Sequence, residues 1–196
     1  MKSEITHYCQ IKNGKVIFDE NLLYEDKEVD FQKFIKNAYQ FFELDYRKFY
    51  KMDPLCKLAV MNSSVLIANL TEKLDPKTAL LLTNKSACVD IDLKHQKSIT
   101  EGFARPADFV YTLPNISLGE ISIKNKLRSE NSFFIFETFN PEFLITYTQQ
   151  LIQTKKANAV LAGWVEIAEN DYNALLFLVE KKKGIALKKE NLLNLI

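Results

Sequence analysis

Few side chains in this sequence can do covalent or acid–base chemistry, and they are widely spaced. The thiols are Cys9, Cys56 and Cys88, and the imidazoles are His7 and His95. A reactive thiol needs a base or a helix N-terminus to lower its pKa. Cys88 has His95 seven residues on, but nothing in the spacing fixes that geometry, so an inert buried thiol is the expected role. Cys56 falls in the first turn of an expected helix, where the dipole favours thiolate. It also lies in the register of the buried face, so core packing is expected. His7 falls in an expected frayed terminus and His95 in the polar stretch "DLKHQKS"; both lie outside any metal-binding spacing and read as surface histidines. Asp90 and Asp92 alternate and have the spacing of an acid/base or metal pair, with a solvated strand end as the commoner reading. The stretch "SENSFFIFETFNPEF" reads as strand, sharp turn and helix start. Many α/β enzymes present a nucleophile at such a junction. This one offers Glu137, Thr138 and Phe139.

The bulk composition excludes several classes. The 196 residues suit one domain, or one long domain with an appendage, and bury enough surface to fold without staples. A net charge of +1 leaves no electrostatic footprint for nucleic acid, and runs such as Lys181–Lys183 read as a solvated face. Three cysteines without a CxxC spacing fit a reducing cytoplasm and exclude a disulfide framework or zinc site. Charges run through the first twenty residues, against a secretory leader, and no apolar run is long enough for membrane insertion. Neither phosphate-loop glycines nor GxSxG occur, and neither a cofactor nor a metal is expected.

The elements that must position these groups read as α/β. Residues 1–25 are irregular in pattern, with an Asn13-Gly14 hairpin signal. "DFQKFIKNAYQFF" places Phe31, Phe34, Ile35, Ala38, Tyr39 and Phe42 on one helical face. "MDPLCKLAV" opens a helix with Asp53 as N-cap and Pro54 at the first position. "TALLLTN" reads as a buried strand, and "ACVDIDL" either continues it past a kink or forms a loop. Residues 100–112 read as a loop, followed by a helix capped by Asn115. "SFFIFETF" reads as a buried strand, and Asn140-Pro141 starts the next helix. "NAVLAGWVEIA" and "NALLFLVEK" read as strands, and "KKENLLNLI" as a closing helix. Strands alternating with helices predict a layered domain with a sheet between helices.

The order of these motifs resembles the N-terminal half of a β-ketoacyl synthase, in the thiolase-like superfamily. "MDPLCKLAV" resembles that family's helix after a Met-Asp-Pro-type turn. "VYTLPNISLGEISIKNKL" resembles its Leu-Pro-Asn segment. "SENSFFIFETFNPEF" falls where the family carries an apolar strand and its Thr-Ala-Cys nucleophile turn. "LIQTKKANAVLAGWVE" resembles the helix and strand ending in Ala-Gly-Gly-x-Glu, and "NALLFLVEK" resembles the next strand. No gap is needed from Asn131 to Glu166, and the likeness covers residues 53–187 or so. It implies a three-layer α/β/α thiolase-like half, with a mixed sheet of about five strands and helices on both faces. It divides the chain into residues 1–50, a hairpin and helix extension packed on the core, and residues 51–196, the synthase N-terminal-like domain.

The departures shape the expected function. The register puts Thr138 in the place of the family's cysteine, and a threonine hydroxyl needs an adjacent base. Phe139 and Asn140-Pro141 replace small residues. The family's two histidines and its lysine lie in a C-terminal half that this sequence does not include. The resemblance therefore implies a non-catalytic synthase-like subunit of a fatty-acid, polyketide or aryl-polyene/flexirubin-type lipid pathway. It would be cytoplasmic and would pair through the 132–139 strand with an active β-ketoacyl synthase or with itself. In that reading Phe134, Phe136, Glu137 and Phe139 belong to a pocket or a dimer strand. The alternative is an acyltransferase of ketosynthase type, with Thr138 or Cys88 as acyl carrier, or with groups supplied in trans. A third reading is docking of an acidic acyl carrier protein on Lys124, Lys126 and Arg128, or on Arg47, Lys48 and Lys51.

Overall fold

The computed structural model describes residues 2–27 and 30–196. The chain opens with β1 (Glu4–Lys12), β2 (Lys15–Phe18) and β3 (Asn21–Glu25). Asn13 and Gly14 turn the first hairpin with φ values of 52° and 73°, and Lys12 faces Lys15 across it. Both positions need the left-handed region, which Asn and Gly tolerate best. A Cβ on Gly14 would also lie 2.1 Å from the Asp26 carbonyl oxygen.

Two helices follow. α1 (Phe31–Phe41) starts where the Asp30 side chain accepts from Lys33 N–H, and it buries the five residues Phe31, Phe34, Ile35, Ala38 and Tyr39. α2 (Pro54–Ala68) has Asp53 as its N-cap, with Pro54 in the first turn. Nearly all of α2 is buried, including Asn62, Ser63 and Ser64, so its core-facing surface is wider than the stripe expected from Leu55, Leu58, Ala59, Val65 and Leu66.

The remaining elements are β4 (Thr78–Asn84), α3 (Val89–Thr100), α4 (Pro106–Val110), α5 (Asn115–Asn125), β5 (Asn131–Ile135), α6 (Pro141–Gln153), β6 (Ala159–Ala168), β7 (Asp171–Glu180), β8 (Ile185–Ala186) and α7 (Lys189–Leu195). The sheet order is β3-β2-β1-β7-β6-β4-β5, with β8 beside β1. β4 runs parallel to β5 and β6, and β6, β7, β1, β2 and β3 pair antiparallel in turn. The mixed α/β sheet thus has eight strands among the described residues, against about five expected. The difference comes from residues 4–25, which join it edge to edge through β1 and β7, and from β8.

Alternation along the strands splits the core in two. Leu80, Leu82, Leu161, Leu176 and Leu178 pack with α1, α2 and α5 on one face. Ala79, Leu81, Val160, Ala162 and Phe177 pack with α6 and α7 on the other. Period-two side chains require this of a sheet covered on both faces. Gly163 sits where β6 and β7 come closest, because a Cβ there would lie 2.0 Å from the Leu175 carbonyl oxygen.

Several local expectations change. "ACVDIDL" leads into helix α3, not a strand or loop; Asp90 and Asp92 fall in its first turn, where carboxylates suit the dipole. The Asn84 side chain accepts from Ala87 N–H and donates to Ala87 O, which closes the turn before it. Residues 106–110 form α4, with Pro106 opening the turn. Pro114, not Asn115, takes the cap position of α5.

Candidate functional site

β5 lies at one end of the sheet order, with β4 as its neighbour. Its five residues are exposed or half-buried, so the expectation of a buried strand is corrected to an edge strand. Phe133 packs against the α2 side of the core and Phe134 against the α6 side. The strand ends at Ile135, not at Phe139. Phe136 N–H donates to Asn84 O (2.9 Å), and the chain then leaves the sheet.

The turn that follows carries Thr138, the residue expected from the resemblance at the nucleophile position. Asn140 caps α6 by accepting from Phe143 N–H (3.0 Å), and Pro141 opens the helix. Glu137 and Thr138 are exposed, and Thr138 makes no side-chain hydrogen bond among the described residues. Phe139 sets its edge against Trp164 at 6.0 Å. Phe134 and Phe136 stand 4.7 and 4.8 Å from Phe143, so the aromatic cluster is built on the α6 side. The turn opens onto a cavity of about 470 Å³ whose far wall is Lys189 and Leu193 of α7. Lys189 donates to Glu142 at 2.7 Å, and that bond holds the Glu142 carboxyl below its ordinary range.

This cavity contains a hydroxyl and carboxylates but no imidazole or thiol. Glu137 and Glu142 both face solvent, and the first-turn amide of α6 at Phe143 is occupied by Asn140. Nothing here activates Thr138 as general-base catalysis requires. Cys88 lies elsewhere, buried at the start of α3, and burial pushes its thiol up to about 12, with Asp53 and Asp92 adding to the shift. Cys56 is pushed up by burial and by Asp53, whose carboxyl accepts its hydrogen bond. These thiols lack the electropositive setting that a nucleophile needs. Among the described residues no cluster of three or more His, Cys, Asp or Glu has metal-binding geometry.

The histidines are not simple surface residues. His7 lies within β1, stacked on Phe18, with Nδ1 2.6 Å from Asp19 Oδ2. His95 is half-buried beside Phe109, and its Nδ1 has no hydrogen-bond partner among the described residues. Neither lines the cavity at the 136–140 turn.

The two basic clusters sit on separate elements. Lys126 and Arg128 are exposed at the end of α5, whereas Lys124 is half-buried, and burial lowers its ammonium pKa. Arg47, Lys48 and Lys51 lie on the 3-10 turn before α2, where Lys48 meets Glu120 at 3.7 Å.

Two features were not read from the sequence. Glu166, at the end of β6, accepts from Lys85 and Ser86 N–H after β4. α3, α4 and the loops beside them expose Leu93, Ile99, Phe103, Phe109, Val110 and Leu113, with Phe103 75% exposed. The signal for the second was present: these apolar residues repeat without a helical or strand face to absorb them.

No family model matches the sequence, and no curated protein matches it. Solved structures do. The ishigamide ketosynthase/chain length factor matches with a TM-score of 0.71 at 15% identity, over 92% of this chain and 62% of its own. A ketosynthase (ApeO) in complex with its chain length factor (ApeC) from Xenorhabdus doucetiae matches with a TM-score of 0.66 at 14% identity, over 94% of this chain and 81% of its own. A β-ketoacyl synthase from Burkholderia phymatum matches with a TM-score of 0.59 at 12% identity, over 92% of this chain and 59% of its own. The chain therefore spans 62% of the length of the first of these. No helix of the described residues is long and apolar enough to cross a membrane. The chain shares the α/β fold of these ketosynthase and chain-length-factor structures over most of its own length.

Proposed function

We propose that this chain is a non-catalytic synthase-fold subunit that pairs, along the free edge of β5, with an active β-ketoacyl synthase of a polyketide, aryl-polyene/flexirubin-type or fatty-acid pathway. The observation that carries the reading is the junction at 135–140. It joins an unpaired strand edge to a turn where Thr138 stands without a base. An uncovered edge is a template for another strand. Ile135, 48% exposed at the end of that edge, has no charge that would blunt it. The segment that carries the six exposed apolar residues begins after β4, at the end of the sheet where Asn84 pairs with Ile135. Matched structures that contain a ketosynthase with a chain length factor support pairing with a synthase.

The test is to mix the purified chain with a cysteine-bearing synthase from the same cell and measure native mass. A stoichiometric complex that Ile135→Lys abolishes supports the reading. A chain that stays alone removes it. Charge reversal at Lys124, Lys126 and Arg128 separates carrier docking from subunit pairing, because it leaves the synthase complex intact.

A further inference from the structure

A cavity of about 320 Å³ lies between the 3-10 turn, α2, α3 and α4, and shares no residue with the turn at 136–140. Its polar wall is built from Lys51, Lys57, Lys94, Tyr111, Asp53, Asp90 and Asp108. The number of charges is balanced, but the hydrogen-bonding capacity is not.

Two of the carboxylates are already committed to backbone donors, and the third has one oxygen used. Asp53 accepts from Leu55 and Cys56 N–H as the cap of α2. Asp90 accepts from Glu169 N–H with both oxygens. Asp108 Oδ1 accepts from Lys94 at 2.9 Å, while its Oδ2 is buried without a hydrogen-bond partner among the described residues. The donors are less occupied. Lys57 gives one proton to Gln32 (2.9 Å) and has two left. Lys51 has no ion pair among the described residues, and the Tyr111 hydroxyl has no hydrogen-bond partner there. Burial holds the Tyr111 phenol up to about 12, so it is a donor at neutral pH. Burial also lowers the Lys57 ammonium pKa; Asp53 opposes that shift and nearby Lys94 adds to it.

We infer that this cavity binds inorganic phosphate in a form that keeps an O–H, with Lys51, Lys57 and Tyr111 donating to its oxygens and the orphaned Asp108 Oδ2 accepting its O–H. Inorganic phosphate at neutral pH is a mixture of its mono- and dihydrogen forms, so it supplies several acceptors and at least one donor, the complement of what the wall leaves unpaired; a phosphate ester, mostly dianionic at this pH, would lack the donor. The inference does not depend on the pairing proposed above.

The test titrates inorganic phosphate at pH ~7 by calorimetry and thermal unfolding, with sodium chloride at matched ionic strength as the reference. The expected result is saturable binding to the wild type and none from chloride. Lys57→Met keeps the apolar stem, removes the half-buried charge and should weaken phosphate binding about tenfold without lowering the midpoint in chloride. Lys51→Ala, at an exposed position, should weaken it about threefold and serves as the variant with no folding risk. Sulfate lacks the O–H at this pH and should bind about tenfold less tightly than phosphate. Absent saturation, equal phosphate binding in wild type and both variants, or equal binding of sulfate and phosphate each overturns the inference.

Discussion

Glu166 Oε2 lies 2.6 Å from Lys85 N and 3.2 Å from Ser86 N, so a carboxylate at the end of β6 caps the chain where it leaves β4. Those amides sit next to the turn that Asn84 closes before α3. One side chain therefore links the sheet to the segment carrying the exposed apolar surface. Glu166→Ala should lower stability by about 1–2 kcal/mol, because two backbone donors lose a charged acceptor. Glu166→Gln, which keeps an acceptor oxygen, should lose less. Urea midpoints of the two variants check this order.

Gly163→Ala is expected to be far more damaging. Its Cβ would meet the Leu175 carbonyl 2.0 Å away, in the middle of the β6–β7 pairing, where the backbone has no room to move. A loss above ~3 kcal/mol follows. Circular dichroism on heating should show a greatly lowered midpoint or no folded protein. A near-native midpoint would contradict the close approach.

Thiol titration makes a third prediction with a definite sign. Cys88 ordinarily titrates near 9.0, and in the folded chain burial raises it to about 12, with Asp53 and Asp92 contributing. The folded form holds the proton more tightly. Its contribution is fully present below about pH 9 and declines as pH rises towards about 12. Cys88→Ala should flatten the alkaline fall in urea midpoint. All three cysteines are buried and should resist thiol reagents at neutral pH until the chain unfolds. Fast labelling of the native protein would argue against an inert role.

Acylation separates the two readings of the 136–140 turn. Thr138 makes no side-chain hydrogen bond among the described residues, and no imidazole lines its cavity. Incubation with an activated acyl thioester should leave the intact mass unchanged, and Thr138→Ala should bind a synthase partner as tightly as the wild type. A stable adduct that disappears in Thr138→Ala would favour the enzyme reading.

The parts of this fold that could be read from sequence are those with an undisturbed period. α1, α2 and the apolar strand at 78–84 follow their spacing and caps. The Asn13-Gly14 hairpin was legible, but the length of β1 was not, because its register shifts between Ile5 and His7 and breaks the alternation that marks a strand. Asp90-Ile91-Asp92 imitates a strand by alternating, and only its place beyond the Asn84 turn makes it a helix. His7 looked exposed because its partner, Asp19, is twelve residues away and comes beside it only when β1 and β2 fold together. The place of Thr138 came from the ordered resemblance. The strand's end at Ile135 came from the structure, because hydrophobicity continues through Phe136 after the pairing has stopped.

The most direct test of the central claim is the native mass of the chain with a cysteine-bearing β-ketoacyl synthase, wild type beside Ile135→Lys. The account predicts a one-to-one complex with the wild type and separate species with the variant, which should unfold at the wild-type midpoint because Ile135 is an exposed edge residue. A wild-type chain that remains alone, or a complex that Ile135→Lys leaves unchanged, would contradict it.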